Sequence, residues 1–409
     1  MSLAFNKIKS RLRILVLGYI VRGPMGGMTW HHLQYFLGLH QMGHDVYFLE
    51  DSGDSEYCCY DPQRDVTDNK PAYGLNYAQE VFKRVGLERR WAYYDYHTQN
   101  WLGPLSGRAP EIISGADMLL NLSCSNPLRQ WFLKVPIRVL VDTDPVFTQI
   151  RNLTDPQRKE LAAKHNFFFT FGENFGSHDC NIPDDGFPWK PTRQPIVLNA
   201  WPVLEGNRNG AFTTVMKWES YPGQYYDGRY FGMKADSFSD YLEIPAKSCE
   251  KLEMALSDKS APRGLLLEKG WFITHPYLVS DDPWKYQNYI RQSKGEFSLS
   301  KQGYVIGKTG WFSERSAAYL ASGRPVLVQD TCFSKWMETG RGVLSFRNSE
   351  EVVEGLKFID MDYRLHCQSA RKLAESYFDS GDVLGNLIQL AIDQDPNSVN
   401  NIYAEQRKD

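Results

Sequence analysis

Residues 13–18 (RILVLG) form a short, apolar, β-rich run that stops at a glycine, the pattern of a strand buried on both faces. A glycine-bearing loop follows at 22–27 (RGPMGG). Beyond it Trp30, Leu33, Phe36, Leu37, Leu39 and Met42 recur at helical spacing, and Gly43 closes the helix. Residues 45–49 (DVYFL) give a second strand that ends in Glu50 and Asp51. Strand, loop, helix and strand within about forty residues make a βαβ unit, and its right-handed crossover seeds a doubly wound parallel sheet. Gly18, Gly23, Gly26 and Gly27 do not keep the G-x-G-x-x-G spacing, so bound NAD is not expected, and no other cofactor is implied.

The α/β pattern continues. Residues 117–122, 137–141 and 167–171 read as further buried strands, which places Ser123, Asp142, Asp144, Gly172, Glu173 and Asn174 at carboxyl ends, where open α/β sheets bind ligands. A proline- and glycine-rich stretch at 181–209 reads as an interdomain connection. Strands are then expected at 211–215, 264–267 and 270–274, and a helix at 284–293. In 308–330 (KTGWFSERSAAYLASGRPVLVQD), Ser313 suits an N-cap, 314–322 a short helix, Gly323 its stop and 325–329 a strand. Residues 350–392 look helical. The division expected is an N-terminal domain at 1–200, a C-terminal domain at 201–375, and a helical segment at 376–409 that packs back on the first domain.

Composition narrows the function. With 409 residues, two domains each have room for a full core. Lys and Arg number 46 against 49 Asp and Glu, a net charge of −3, which argues against nucleic acid or an acidic membrane surface as partner. No apolar run approaches the roughly 18–20 residues of a membrane span. Residues 1–13 are basic but lack the apolar core of a signal peptide. Seven cysteines, odd in number and without a Cys-x-x-Cys, fit a reduced, cytoplasmic protein with no zinc site. Oligomeric state is not legible.

Two segments carry a resemblance. Gly26-Gly27-Met28-Thr29-Trp30-His31, a helix, and then Gly43-His44-Asp45-Val46 is similar to the GG-x-x-x-H…GHEV opening of many GT-B glycosyltransferases. Gly310-Trp311-Phe312-Ser313 through Ala321-Ser322-Gly323-Arg324-Pro325-Val326 resembles their donor-binding helix, which ends in A-x-G-x-P-V. Residues 330–333 (DTCF) resemble the segment that meets the donor sugar. The chain departs at Ala318, where many retaining members carry a glutamate. The resemblance implies two Rossmann-like doubly wound domains facing a central cleft. It also implies metal-independent transfer from a nucleoside diphosphate sugar, a UDP or TDP sugar among them, to an acceptor hydroxyl, for instance of a small molecule or secondary metabolite.

Such a transfer must stabilise the charge of a departing diphosphate, which a helix N-terminus and a cation supply. Ser313, Arg315 and Ser316 sit at such a terminus beside Gly310 and Trp311, and Lys217, Lys301 and Arg315 are the candidate cations. Arg315 has a rival role, pairing with a carboxylate. Gly26 and Gly27 serve either a sharp turn or the approach of backbone N–H groups to phosphate. Asp330 and Thr331 face the donor sugar or make a strand-end turn. His31 is the candidate general base, with His32 structural; Asp142 and Asp144 are the other catalytic candidates, facing the acceptor. Asp142-Thr143-Asp144 also admits a metal-dependent GT-A reading, and a same-fold epimerase or a non-catalytic nucleotide-sugar-binding partner protein stays open. The aromatic run 91–101 is either an acceptor pocket or a folded surface loop.

Overall fold

The computed structural model describes residues 11–393. The first sheet has eight strands in the spatial order Lys190–Pro191, Phe167–Thr170, Ile137–Asp142, Met118–Leu122, Arg13–Leu17, Asp45–Asp51, Trp91–Asp95 and Asn100–Leu102. Every pairing is parallel except that of the last two. The chain winds outward from Arg13–Leu17 in one direction and from Met118–Leu122 in the other. The strand order therefore reverses between these two neighbours, and a crevice opens outside their carboxyl ends.

The second sheet repeats the plan with six parallel strands: Phe272–Thr274, Leu252–Ser257, Phe212–Lys217, Gly295–Ser298, Val326–Gln329 and Val343–Phe346. Its switch point lies between Phe212–Lys217 and Gly295–Ser298. Two doubly wound domains thus present their switch points to one cleft, as the GT-B resemblance implies.

The domains are joined by packing as well as by chain. The first helix, Gly26–Gln41, lies against the helix Pro283–Gln292 of the second domain. There the Trp30 indole N–H donates to the Pro283 carbonyl at 2.7 Å, and Trp30 meets the fully buried Trp201 of the connection at 5.0 Å. Arg324, buried completely, donates to the carbonyls of Arg291, Leu204 and Glu205, which pins that connection to the second domain. The helical tail consists of Ser349–Met361, Tyr363–Tyr377 and Ser380–Asp393. The last of these returns to the first domain: Leu384 packs on Gly38, and Ile196 exchanges backbone hydrogen bonds with Phe378 and Ser380 at 2.6 and 2.9 Å. Residues 394–409 of the expected helical segment, and 1–10 of the basic terminus, lie outside the described residues.

Three expectations change. Residues 264–267 belong to a helix, Arg263–Glu268, entered through Pro262; its Leu266 is buried while Leu265 and Leu267 face solvent, so the leucine run is one helical stripe and not a strand. The strand of this region is Leu252–Ser257, whose mixed sequence hid it. The run 91–101 is not a surface loop, though residues 96–99 turn, and it lines a separate cavity outside the cleft. It is a buried parallel strand, Trp91–Asp95, turned back at Gln99 (φ +57°) into the antiparallel edge Asn100–Leu102. The first helix begins at Gly26, so the glycine pair is its first turn.

Candidate functional site

A cleft of about 420 Å³ lies between the carboxyl ends of the two sheets, a size typical of small-molecule sites, about 300–1,000 Å³. The first domain lines it with Tyr19, His31, Ser123, Thr143 and Asp144, all just beyond strand ends or in the first helix. Five basic side chains, Arg151, Lys217, Lys234, Lys301 and Arg315, face two carboxylates, Asp144 and Glu314, so the lining is cationic.

Asp144 is the most tightly held group in it. Its carboxylate accepts from Lys301 Nζ at 2.7 Å and Tyr304 at 2.5 Å in the second domain, from Arg151 at 2.9 Å in the first, and from the Tyr221 hydroxyl. Burial opposes ionisation here, but the Lys301 and Arg151 charges prevail and hold its pKa at about 2. A carboxylate so acidic is a poor proton acceptor near neutrality. Asp144 therefore ties the two domains together across the cleft. Two residues on, Val146 sits at φ +70°; for a β-branched residue that stores about 1–3 kcal/mol of strain beside the site.

Asp142 points elsewhere. It accepts from Thr148, Gln149, Thr170 and the Asp144 backbone N–H at 2.7–3.1 Å, all within its own domain. The two aspartates do not converge, and no group of three His, Cys, Asp or Glu side chains among the described residues is placed to hold a metal.

His31 is 7% exposed, lies at the cleft wall, and packs edge-on to His32, Tyr35 and Phe171. Burial lowers its pKa, which keeps the ring neutral and able to accept a proton. His32 differs: its Nδ1 bonds the Met28 carbonyl at 2.7 Å and its Nε2 the Tyr19 N–H at 3.2 Å, beneath Gly18, where a Cβ would strike the ring. It is a structural histidine, as expected.

From the second domain the helix Glu314–Ala321 aims its N-terminus at the cleft, with Ser313 accepting from the Arg315 N–H at 3.2 Å. The Arg315 side chain bonds Glu296 at 2.6 Å, the Val215 carbonyl at 2.7 Å and Ser298 at 2.5 Å. Glu296 is completely buried and its other oxygen finds no partner. Arg315 thus lines the cleft while also neutralising a core carboxylate, so its carboxylate partner lies on a strand beneath it and not on the helix surface. Trp311 packs at a tilt against Tyr304 at 4.5 Å and donates to the Thr143 carbonyl at 3.3 Å.

Lys234 is the residue the sequence reading missed. It follows the hairpin Gln224–Tyr226/Arg229–Phe231 and enters the cleft with no hydrogen-bond or ion-pair partner among the described residues. Burial, with Arg315 and Lys301 adding repulsion, lowers its pKa to about 7. No motif marked it; a cation after a short hairpin gains meaning only once the fold brings it into the cleft.

Several anticipated residues stand outside the cleft. Gly26 and Gly27 are packed against Asp282 and Tyr286, where a Cβ on Gly26 would come within 2.7 Å of the Asp282 carbonyl. They seat one domain's helix on the other's, and Gly27 also borders a small cavity under His31, Glu314 and Arg315. Gly310, at φ +72°, lies against Asn174 and accepts from the Trp336 indole at 2.8 Å. Ser316 is 1% exposed. Asp330 accepts from Cys332 N–H, Ser334 and Arg347, and Thr331 donates to the Trp311 carbonyl at 2.5 Å. Gly310, Asp330 and Thr331 order the loops behind the site, while Ser316 is buried within the helix Glu314–Ala321. Glu173, at another strand end, pairs with Arg193.

No protein-family model and no curated protein matches this sequence. Solved structures do match it. An alpha-glucosyltransferase in complex with UDP-glucose and DNA containing an abasic site aligns over 93% of this chain and 100% of its own, with TM-score 0.56 at 11% identity. Anabaena Alr3699/HepE in complex with UDP-glucose aligns over 93% and 99%, with TM-score 0.54 at 11% identity. At such identities the likeness is one of fold: this chain has the GT-B architecture. No helix among the described residues is long and apolar enough to cross a membrane.

Proposed function

We propose that the protein is a glycosyltransferase that moves a sugar from a nucleoside diphosphate sugar to an acceptor hydroxyl. The observation that carries this is the cationic cleft at two facing switch points, with the unpaired Lys234 beside the N-terminus of Glu314–Ala321. A diphosphate there meets backbone N–H groups and positive side chains in a partly desolvated setting, where each contact strengthens as charge develops on the leaving group. Lys234, Lys217 and Arg315 serve the phosphates, and Lys301 joins them from its place on Asp144. Neutral His31, on the opposite wall, is placed to take the acceptor proton. The two aspartates are committed to protein partners, so the cations do the work of a metal.

Because two fold relatives were solved with UDP-glucose, uridine donors are the first to try. One of them also holds DNA; for this chain the balance of 46 basic and 49 acidic residues favours an acceptor other than nucleic acid. The test is release of free nucleoside diphosphate from UDP-glucose and TDP-glucose, with and without EDTA. Slow release that survives chelation is expected, since a transferase leaks donor to water. Activity lost on chelation and restored by Mn²⁺ contradicts the metal-free mechanism. Binding with no release at all would make the protein a nucleotide-sugar-binding module.

A further inference from the structure

We propose that the cavity walled by Tyr94, Trp101 and Trp131, at the edge of the first sheet, is a second site that holds a saccharide. It encloses about 400 Å³ and shares no lining residue with the donor cleft. Tyr94 and Trp101 are cross-strand partners of the edge hairpin, with rings 5.2 Å apart; Trp131 closes the third side at 5.0 Å from Tyr94 and 6.2 Å from Trp101. The rings are inclined to one another by 53–73°. They form a concave wall instead of a closed stack, and Trp101 and Trp131 stay partly open to solvent.

The polar groups are few and marginal. Tyr94 donates to the Gln99 amide oxygen at 2.8 Å, which fixes that side chain, and Ser114 and Lys134 complete the lining. Among the described residues the Trp131 indole N–H has no acceptor, so a bound group that supplies one is favoured. Aromatic faces with hydrogen-bonding edges suit a sugar, whose ring presents a C–H face and a rim of hydroxyls. A single lysine is too little charge to clamp a diphosphate, which separates this site chemically from the cleft. Resting on the reading of the protein as a sugar transferase, the site is assigned to a distal sugar residue of an oligosaccharide acceptor.

The test is titration of the full chain with cellohexaose, maltohexaose and chitohexaose, followed by tryptophan fluorescence, beside calorimetric titration with UDP. At least one hexasaccharide is expected to give a saturable change. Trp101→Ala should weaken it at least tenfold, and Ser114→Trp, which fills the cavity without removing a ring, should do the same in a folded protein. UDP affinity should stay within twofold in both variants. UDP binding with no response to any of the three saccharides, or a response unchanged in Ser114→Trp, overturns the second site and leaves the transferase reading standing. Saccharide binding in a protein that ignores UDP and UDP-glucose supports the second site and overturns that reading instead. Should 8-anilinonaphthalene-1-sulfonate bind there and the saccharides not, the cavity is an aryl pocket and the assignment fails.

Discussion

Among the described residues Lys234 has no counter-ion, and it faces a space that a dianion fits. Arg151, Lys301 and Arg315 are already ion-paired and Lys217 is exposed, and the contrast between Lys234 and Arg315 separates binding from stability. Removing Arg315 strands the buried Glu296 carboxylate. Arg315→Ala is therefore expected to cost about 3–5 kcal/mol of stability, in addition to any loss of donor affinity, and thermal or urea unfolding reads it; unfolding unchanged from wild type would mean Glu296 is not held by Arg315. His31 invites a kinetic test. His31→Ala should lower kcat by roughly 10²–10⁴-fold with donor binding little changed. Because burial lowers the imidazole pKa, the acid limb of the wild-type kcat profile should fall below about pH 6.5. Near-wild-type turnover in the variant would place the base elsewhere. The single-residue legibility of the site was uneven for a physical reason. His31 and Arg315 are reachable from sequence because each sits at a helix start, whereas Lys301 is raised by the resemblance alone. Asp144 is legible at its strand end but its ion pair is not, since nothing local shows that Lys301 and Tyr304 arrive from the other domain.

At the scale of elements, the glycine pair is the instructive case. In sequence Gly26-Gly27 reads as a loop that reaches phosphate or turns sharply, whereas the fold uses it to bring two helices together. Gly26→Ala should thus act as overpacking, destabilising by about 1–3 kcal/mol, because a Cβ meets the Asp282 carbonyl at 2.7 Å and the Tyr286 Cβ at 2.9 Å. A variant of unchanged stability but weakened donor binding would return the glycines to the phosphate site. The buried parallel strands were legible because both of their faces are apolar, which leaves continuous hydrophobic runs. Leu252–Ser257 broke that rule with Glu253, which faces Thr274 and Tyr289, and it was missed. The leucines at 265–267 satisfied the rule by accident. Their three successive side chains fall around a short helix, one in and two out.

Across the whole molecule, two doubly wound sheets are set face to face by three ties: the first helix on Pro283–Gln292, the return of Ser380–Asp393, and the Asp144 cage. The order of strand and helix signals makes the two halves legible in the sequence. Their mutual placement is not, because it depends on contacts between residues more than a hundred positions apart, such as Trp30 with Pro283 and Asp144 with Lys301. The cage has a pH signature. Asp144 is held at about 2, below its ordinary 3.8, so its contribution is complete above 3.8 and is lost as pH falls towards 2. Asp144→Asn should flatten stability across that interval in acid unfolding; a wild-type pH dependence in the variant would mean that the cage does not hold.

Calorimetric titration with UDP, run at pH 8 in buffers of different ionisation enthalpy, shows whether the cleft binds a nucleoside diphosphate through Lys234. With its pKa at about 7, Lys234 is mostly neutral at that pH and must be recharged by the ligand. Wild type should bind UDP with uptake of up to about one proton, while Lys234→Met should lose the uptake and about one to two decades of affinity without unfolding. Equal affinity and equal proton uptake in the two proteins would contradict binding through Lys234.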